Sequence, residues 1–121
     1  MKSIAEALQE ARDLAATRNW QVPTQATALE AERLFDLVSK QWPAFEVQAH
    51  ADGSISLEWE ADVRGWLTLT VTGQQKLEHA AVIAGDEYGL AEDFGDALPG
   101  WAQELLGRLH VAPPTAKRLF Q

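Results

Sequence analysis

The chain has 121 residues, no cysteine and a formal net charge of -8, with 46% hydrophobic residues. That length and composition suit one globular domain that builds a core without staples, and the missing cysteines exclude disulfide frameworks, thiolate zinc sites, iron-sulfur clusters and thiol nucleophiles. No run of about 18 apolar residues is present, which excludes a membrane-spanning helix. Glu6, Gln9, Glu10, Arg12 and Asp13 interrupt any secretory h-region, so the expected location is the reducing cytoplasm.

The charge is unevenly spread. Residues 44–83 carry two cations and six anions, and residues 84–110 one cation and six anions. A nucleic-acid binder needs a positive footprint to release counterions from phosphates, and this chain carries the opposite sign. A basic protein is the better electrostatic match.

In chain order, Ser3-Ile4-Ala5-Glu6 fits a capping box, and Ile4, Leu8, Ala11 and Ala15, with Leu14 beside them, recur on one helical face. Val22-Pro23 then enforces extended backbone before a second helix. Thr24 or Thr27 caps it, with Thr27 to Glu30 repeating the box pattern, and Ala31, Leu34, Phe35, Val38 and Trp42 form its apolar stripe. Asp36 and Lys40 are spaced for an i,i+4 ion pair, and Pro43 stops the helix.

From Phe45 to Ile83 the hydrophobic period becomes two, which predicts four strands. Phe45, Val47 and Ala49 alternate with polar residues, and Asp52-Gly53 is a hairpin signal. Ile55, Leu57 and Trp59 then alternate with Ser56, Glu58 and Glu60. Asp62 to Gly65 makes the next connection, followed by Leu67, Leu69 and Val71 opposite Trp66, Thr68 and Thr70. After a turn at Gly73 to Lys76, the fourth strand runs from Leu77 to Ile83 with weaker alternation. The short connections imply antiparallel neighbours in a meander.

The segment AGDEYGLAEDFGD, residues 84–96, reads as a long ordered loop carrying at most a short edge strand. Asp96 is placed to cap a last helix with Pro99 in its first turn, burying Leu98, Trp101, Ala102, Leu105 and Leu109. Pro113-Pro114 ends regular structure, and residues 111–121 read as a flexible tail. The expected fold is α+β: a four-stranded antiparallel meander with two N-terminal helices and one C-terminal helix covering one face, in a single domain.

Catalytic signatures are absent from the sequence. His50, His79 and His110 are dispersed without metal-ligand spacing, and P-loop, Rossmann and GxSxG patterns do not occur. Asp86, Glu87, Glu92, Asp93 and Asp96 lack the spacing of a calcium loop. Glu58, Glu60 and Asp62 alternate in the manner of paired hydrolytic carboxylates, but on a face expected to meet water. The reading is therefore non-enzymatic, with no catalytic residue, metal or cofactor.

Trp66 stands out because it lies opposite the core face, where it either anchors a partner or is covered by residues 84–96. The acidic segment can dock a basic partner through Asp86, Glu87, Glu92 and Asp93, with Tyr88 and Phe94 as interleaved apolar contacts. With Glu58 and Glu60 these residues form the candidate partner-binding set. Lys117-Arg118-Leu119-Phe120 is similar to short docking motifs of chain termini.

Asp52-Gly53-Ser54-Ile55-Ser56-Leu57-Glu58-Trp59, followed by a Leu-Thr-Leu strand and by Phe94-Gly95-Asp96 before the closing helix, resembles a DGxxxLEW pattern in a group of small bacterial proteins of accessory or antitoxin type. The resemblance covers about half the chain. It implies an accessory or antitoxin-type role; together with the acidic surface, the expected function is an antitoxin, immunity protein or phage-type inhibitor acting on a basic or enzymatic partner. The alternatives are a small-molecule binder or small enzyme with a pocket between sheet and helices, near His79, Trp59 or Trp66, and a homo-oligomer, such as a homodimer, formed through a patch around Trp66.

Overall fold

A computed structural model of the chain describes residues 2–61 and 64–110. The expectations for Asp62, for the tail 111–121 and for Lys117 to Phe120 lie outside those residues. The described elements are α1 (Ile4–Thr17), α2 (Gln25–Ser39), β1 (Glu46–Ala49), β2 (Ile55–Ala61), β3 (Gly65–Val71), β4 (Lys76–Ile83), β5 (Asp86–Asp93) and α3 (Gly100–His110).

Local chemistry sets the helix starts. The Ser3 hydroxyl accepts from the Glu6 N–H at 3.1 Å, and the Glu6 carboxylate accepts from the Ser3 N–H at 3.2 Å. This capping box satisfies two donors that the first turn of α1 leaves without partners. In α2 the cap is Thr24, whose hydroxyl accepts from the Thr27 N–H at 3.1 Å. Thr27 is thus already helical, and the second box expected at Thr27 to Glu30 does not form.

Glu30 does something else. It is only 5% exposed, and its carboxylate accepts from the Gly73 N–H at 3.1 Å and the Gln75 N–H at 2.8 Å. A buried carboxylate is tolerated where N–H donors replace water, and these two tie the β3–β4 turn to α2. At Gly73, with φ of +86°, an added Cβ would lie 2.7 Å from the Thr27 hydroxyl oxygen, so the turn can approach α2 only as glycine.

The sheet has five antiparallel strands in the order β1-β2-β3-β4-β5. The β1–β2 hairpin turns where Asp52-Gly53 predicts: the Asp52 carboxylate accepts from the Ser54 N–H at 2.9 Å and its hydroxyl at 2.6 Å, and Gly53 takes φ of +86°. These bonds hold the Asp52 carboxyl below its ordinary pKa.

The expectation of four strands needs correction. Residues 86–93 form a full edge strand paired along the length of β4, from Ile83 opposite Asp86 to Lys76 opposite Asp93. Ala84 and Gly85, both with positive φ, make the two-residue turn between them. Ala-Gly is a weak hairpin signal beside Asn-Gly or Asp-Gly, so local sequence does not announce the turn.

Register separates the two faces. Val47, Ala49, Ile55, Leu57, Trp59, Leu67, Leu69, Val71, Leu77, Ala81 and Ile83 are buried. They join Ile4, Ala7 and Ala11 of α1, Ala31, Leu34 and Val38 of α2, and Ala102, Leu105, Leu106 and Leu109 of α3 in one apolar cluster. Trp59 is fully buried and donates its indole N–H to the Trp42 carbonyl at 3.0 Å. Two further expectations fail. The last helix starts at Gly100, with the Pro99 carbonyl accepting from the Ala102 and Gln103 N–H groups, which leaves Asp96 short of the cap position. Lys40 follows α2 as its C-cap, and no Asp36–Lys40 pair is among the ion pairs of the described residues.

Replacing Glu30 by Ala leaves the Gly73 and Gln75 donors without their carboxylate and should cost about 1.5–3 kcal/mol in urea unfolding. Glu30→Gln keeps one acceptor oxygen and should cost less; equal losses for the two variants would refute the clasp.

Candidate functional site

The polar alternates of the strands form a second face with three cross-strand rows. Gln48, Ser56, Thr70, Glu78 and Ala91 make one, and Glu46, Glu58, Thr68, Ala80 and Gly89 the next. The third is Glu60, Trp66, Val82 and Glu87. Lys76 and Asp93 pair beyond them and form a salt bridge, which holds the Asp93 carboxyl below its ordinary pKa.

Most of this face has small side chains between carboxylates. Trp66 is the large apolar exception, 37% exposed beside Val82. Residues 86–93 extend the sheet as its edge strand, with Glu87 in the same row as Trp66. Ser56 is only 2% exposed, and its hydroxyl pairs with the His50 imidazole Nε2 at 2.7 Å, so one polar alternate is withdrawn from water.

Glu46 stands directly opposite Glu58. With Glu60 and Ala44 these two line a hollow of about 170 Å³. Like charges directly opposite one another in a strand pair disfavour folding.

The acidic segment is divided by its strand. Glu87 and Asp93 belong to the face with Trp66, whereas Asp86, Tyr88, Leu90 and Glu92 share the other face with Ile83, Ala81, His79 and Leu77. Tyr88 is engaged by α3: the Arg108 guanidinium donates to its hydroxyl at 2.8 Å and to the Glu104 carboxylate at 2.8 Å. Phe94 must be corrected as a contact residue. It is 3% exposed, with the Arg33 guanidinium 5.8 Å from its ring centroid, because its N–H bonds back to the Gln75 carbonyl and carries the side chain into the core.

A groove of about 440 Å³ separates β5 from α3, lined by His79, Leu90, Glu92, Trp101, Leu105 and Arg108 among others. The His79 and Trp101 rings stack with centroids 4.2 Å apart. The His79 Nδ1 and Trp101 Nε1 atoms are buried and have no hydrogen-bond partner among the described residues. Burial pushes the His79 pKa below its ordinary 6.5, opposed by the nearby Glu92 carboxylate. Sequence reasoning had missed Glu46, Val82 and Arg108; pairing the strands in the alternation register would have found the first two.

Among the described residues no group of three or more His, Cys, Asp or Glu side chains could hold a metal ion, and no helix is long and apolar enough to cross a membrane. No family model, curated protein or solved structure matches the chain.

Because the native state disfavours the His79 cation, the unfolded chain binds the extra proton, so stability is complete above pH 6.5 and declines as the pH falls below that value. Urea midpoints measured between pH 7.5 and about 5 should show the decline, and His79→Gln should flatten it. Carboxylates titrate mainly below this window, so an identical slope in the variant would exclude His79 as its source.

Proposed function

We propose that the protein is a non-enzymatic binding module of the antitoxin, immunity-protein or inhibitor kind, acting in the cytoplasm on a basic protein. The reading takes all three helices to lie against the buried face of the sheet, which leaves the Trp66 face for the partner. The observation that carries it is the Glu46–Glu58 opposition. Two facing carboxylates with Glu60 beside them are unfavourable in the free domain and favourable once a Lys or Arg side chain enters the hollow they line. Trp66 supplies the apolar anchor nearby, and Glu78 and Glu87 extend the negative field.

A second reading has one observation of its own. The His79 and Trp101 nitrogens, without partners among the described residues, belong to residues that line the β5–α3 groove, as a small-molecule site with converging polar groups would require. Replacing Trp66 would leave such a site intact, whereas Trp101→Phe would remove its indole donor.

Glu58→Gln should stabilise the free protein by about 0.2–1 kcal/mol while weakening capture of the partner from its host. Trp66→Ala should weaken capture by roughly 2 kcal/mol with little effect on stability. The association rate of the unmodified protein should fall with added salt. Unchanged capture by both variants would remove the Trp66 face from consideration.

A further inference from the structure

β5 is paired on one side only among the described residues. The direction of its unpaired groups follows from one bond. The Phe94 N–H donates to the Gln75 carbonyl at 2.9 Å, and along an antiparallel strand the backbone groups of successive residues point to opposite sides. Residues 86, 88, 90 and 92 therefore bond to β4, while Glu87, Gly89, Ala91 and Asp93 direct their N–H and C=O groups outward.

The middle of this free edge is unshielded, because Gly89 and Ala91 have almost no side chain to block an approaching strand. Leu90, 57% exposed, lies on the side of the groove between β5 and α3. Acids occupy both ends: Asp86 and Glu87 at one, Glu92 and Asp93 at the other, with only Asp93 paired to a cation among the described residues.

A second copy of the chain fits poorly here. Antiparallel pairing of two such edges in full overlap sets Leu90 against Leu90 but Glu87 against the second copy's Asp93, twice by symmetry. An extended segment with basic ends and an apolar middle meets none of that repulsion.

We propose that the free edge of β5 takes such a segment of a basic protein as a sixth strand, with backbone hydrogen bonds to Gly89 and Ala91 and an apolar side chain over Leu90 at the mouth of the groove. This rests on the reading of the chain as a binder of a basic partner, and assigns to that partner an extended stretch with Lys or Arg at both ends.

The test uses the full chain and a labelled peptide, acetyl-Lys-Arg-Thr-Val-Thr-Val-Arg-Lys-amide, followed by fluorescence anisotropy at low salt. The expected Kd is tighter than about 1 mM. A peptide of the same charge, N-methylated at alternate amides on either edge in two versions, should bind at least about tenfold more weakly in one version, since strand addition needs those donors. Ala91→Pro should cause a similar loss while leaving the β4–β5 ladder intact, because the Ala91 N–H points outward. Failure of the open-face reading registers in partner capture by Trp66→Ala, and failure of the edge proposal registers in peptide binding to the unmodified chain. No binding of the parent peptide, or equal binding of both N-methylated versions, overturns the proposal. A concentration-dependent dimer that Ala91→Pro dissociates overturns it in favour of a second copy. The N-methyl comparison decides the matter even if Ala91→Pro fails to fold.

Discussion

Trp59 fixes the register on which the rest of the sheet depends. It is fully buried, tilted against Phe45 with ring centroids 5.2 Å apart, and its indole N–H is satisfied by the Trp42 carbonyl. A slip of one residue in β2 would turn this ring to water and drive Glu58 and Glu60 into the apolar cluster. Both changes are costly, since the largest fully buried side chain would lose its burial and two charges would lose their hydration. Once β2 is held, pairing passes the same parity through β3 and β4 to β5. Trp66 and the facing glutamates are therefore displayed as a consequence of where Trp59 must go.

That dependence explains what was legible beforehand. Burial of Val47, Ile55, Leu57, Trp59, Leu67, Leu69 and Val71 follows from alternation alone, because a half-buried strand repeats every two residues. The same logic places Glu58, Glu60 and Trp66 on the opposite face. The full length of β5 was not legible because Gly89 and Ala91 weaken its period and acids occur on both of its faces, so burial contributes almost no pattern. Its strand character comes from its neighbour: β4 offers a full row of backbone partners, and pairing with them outweighs a poor intrinsic propensity.

Glu30 and Phe94 show a different limit. Glu30 sits three residues after Thr27 in the pattern of a capping box, yet its partners are the Gly73 and Gln75 amides, more than 40 positions away. A local motif cannot reveal a tertiary acceptor. Phe94 looked like an apolar contact because acids precede it, but the chain leaves β5 there and the strand's last bond turns the ring inward. The candidate site was thus half readable: its face by parity, its division of the acidic segment only after the fifth strand is known.

The carboxylates on the open face act at two ranges, and this separates their effects from those of Trp66. At physiological salt the Debye length is about 8 Å, so the summed field of Glu46, Glu58, Glu60, Glu78 and Glu87 is felt mainly during approach and is weakened by added ions. Desolvation of Trp66 operates only in contact and is insensitive to salt. On the proposed reading the charges would govern how fast a basic partner arrives, and the tryptophan how long it stays. Glu46 and Glu58, directly opposite in register, would on the proposed reading serve both regimes, since a cation beside them would offset the unfavourable pairing of like charges. Exchange of one of them to Gln would remove both the cost that the free sheet carries and the gain that a bound cation would bring.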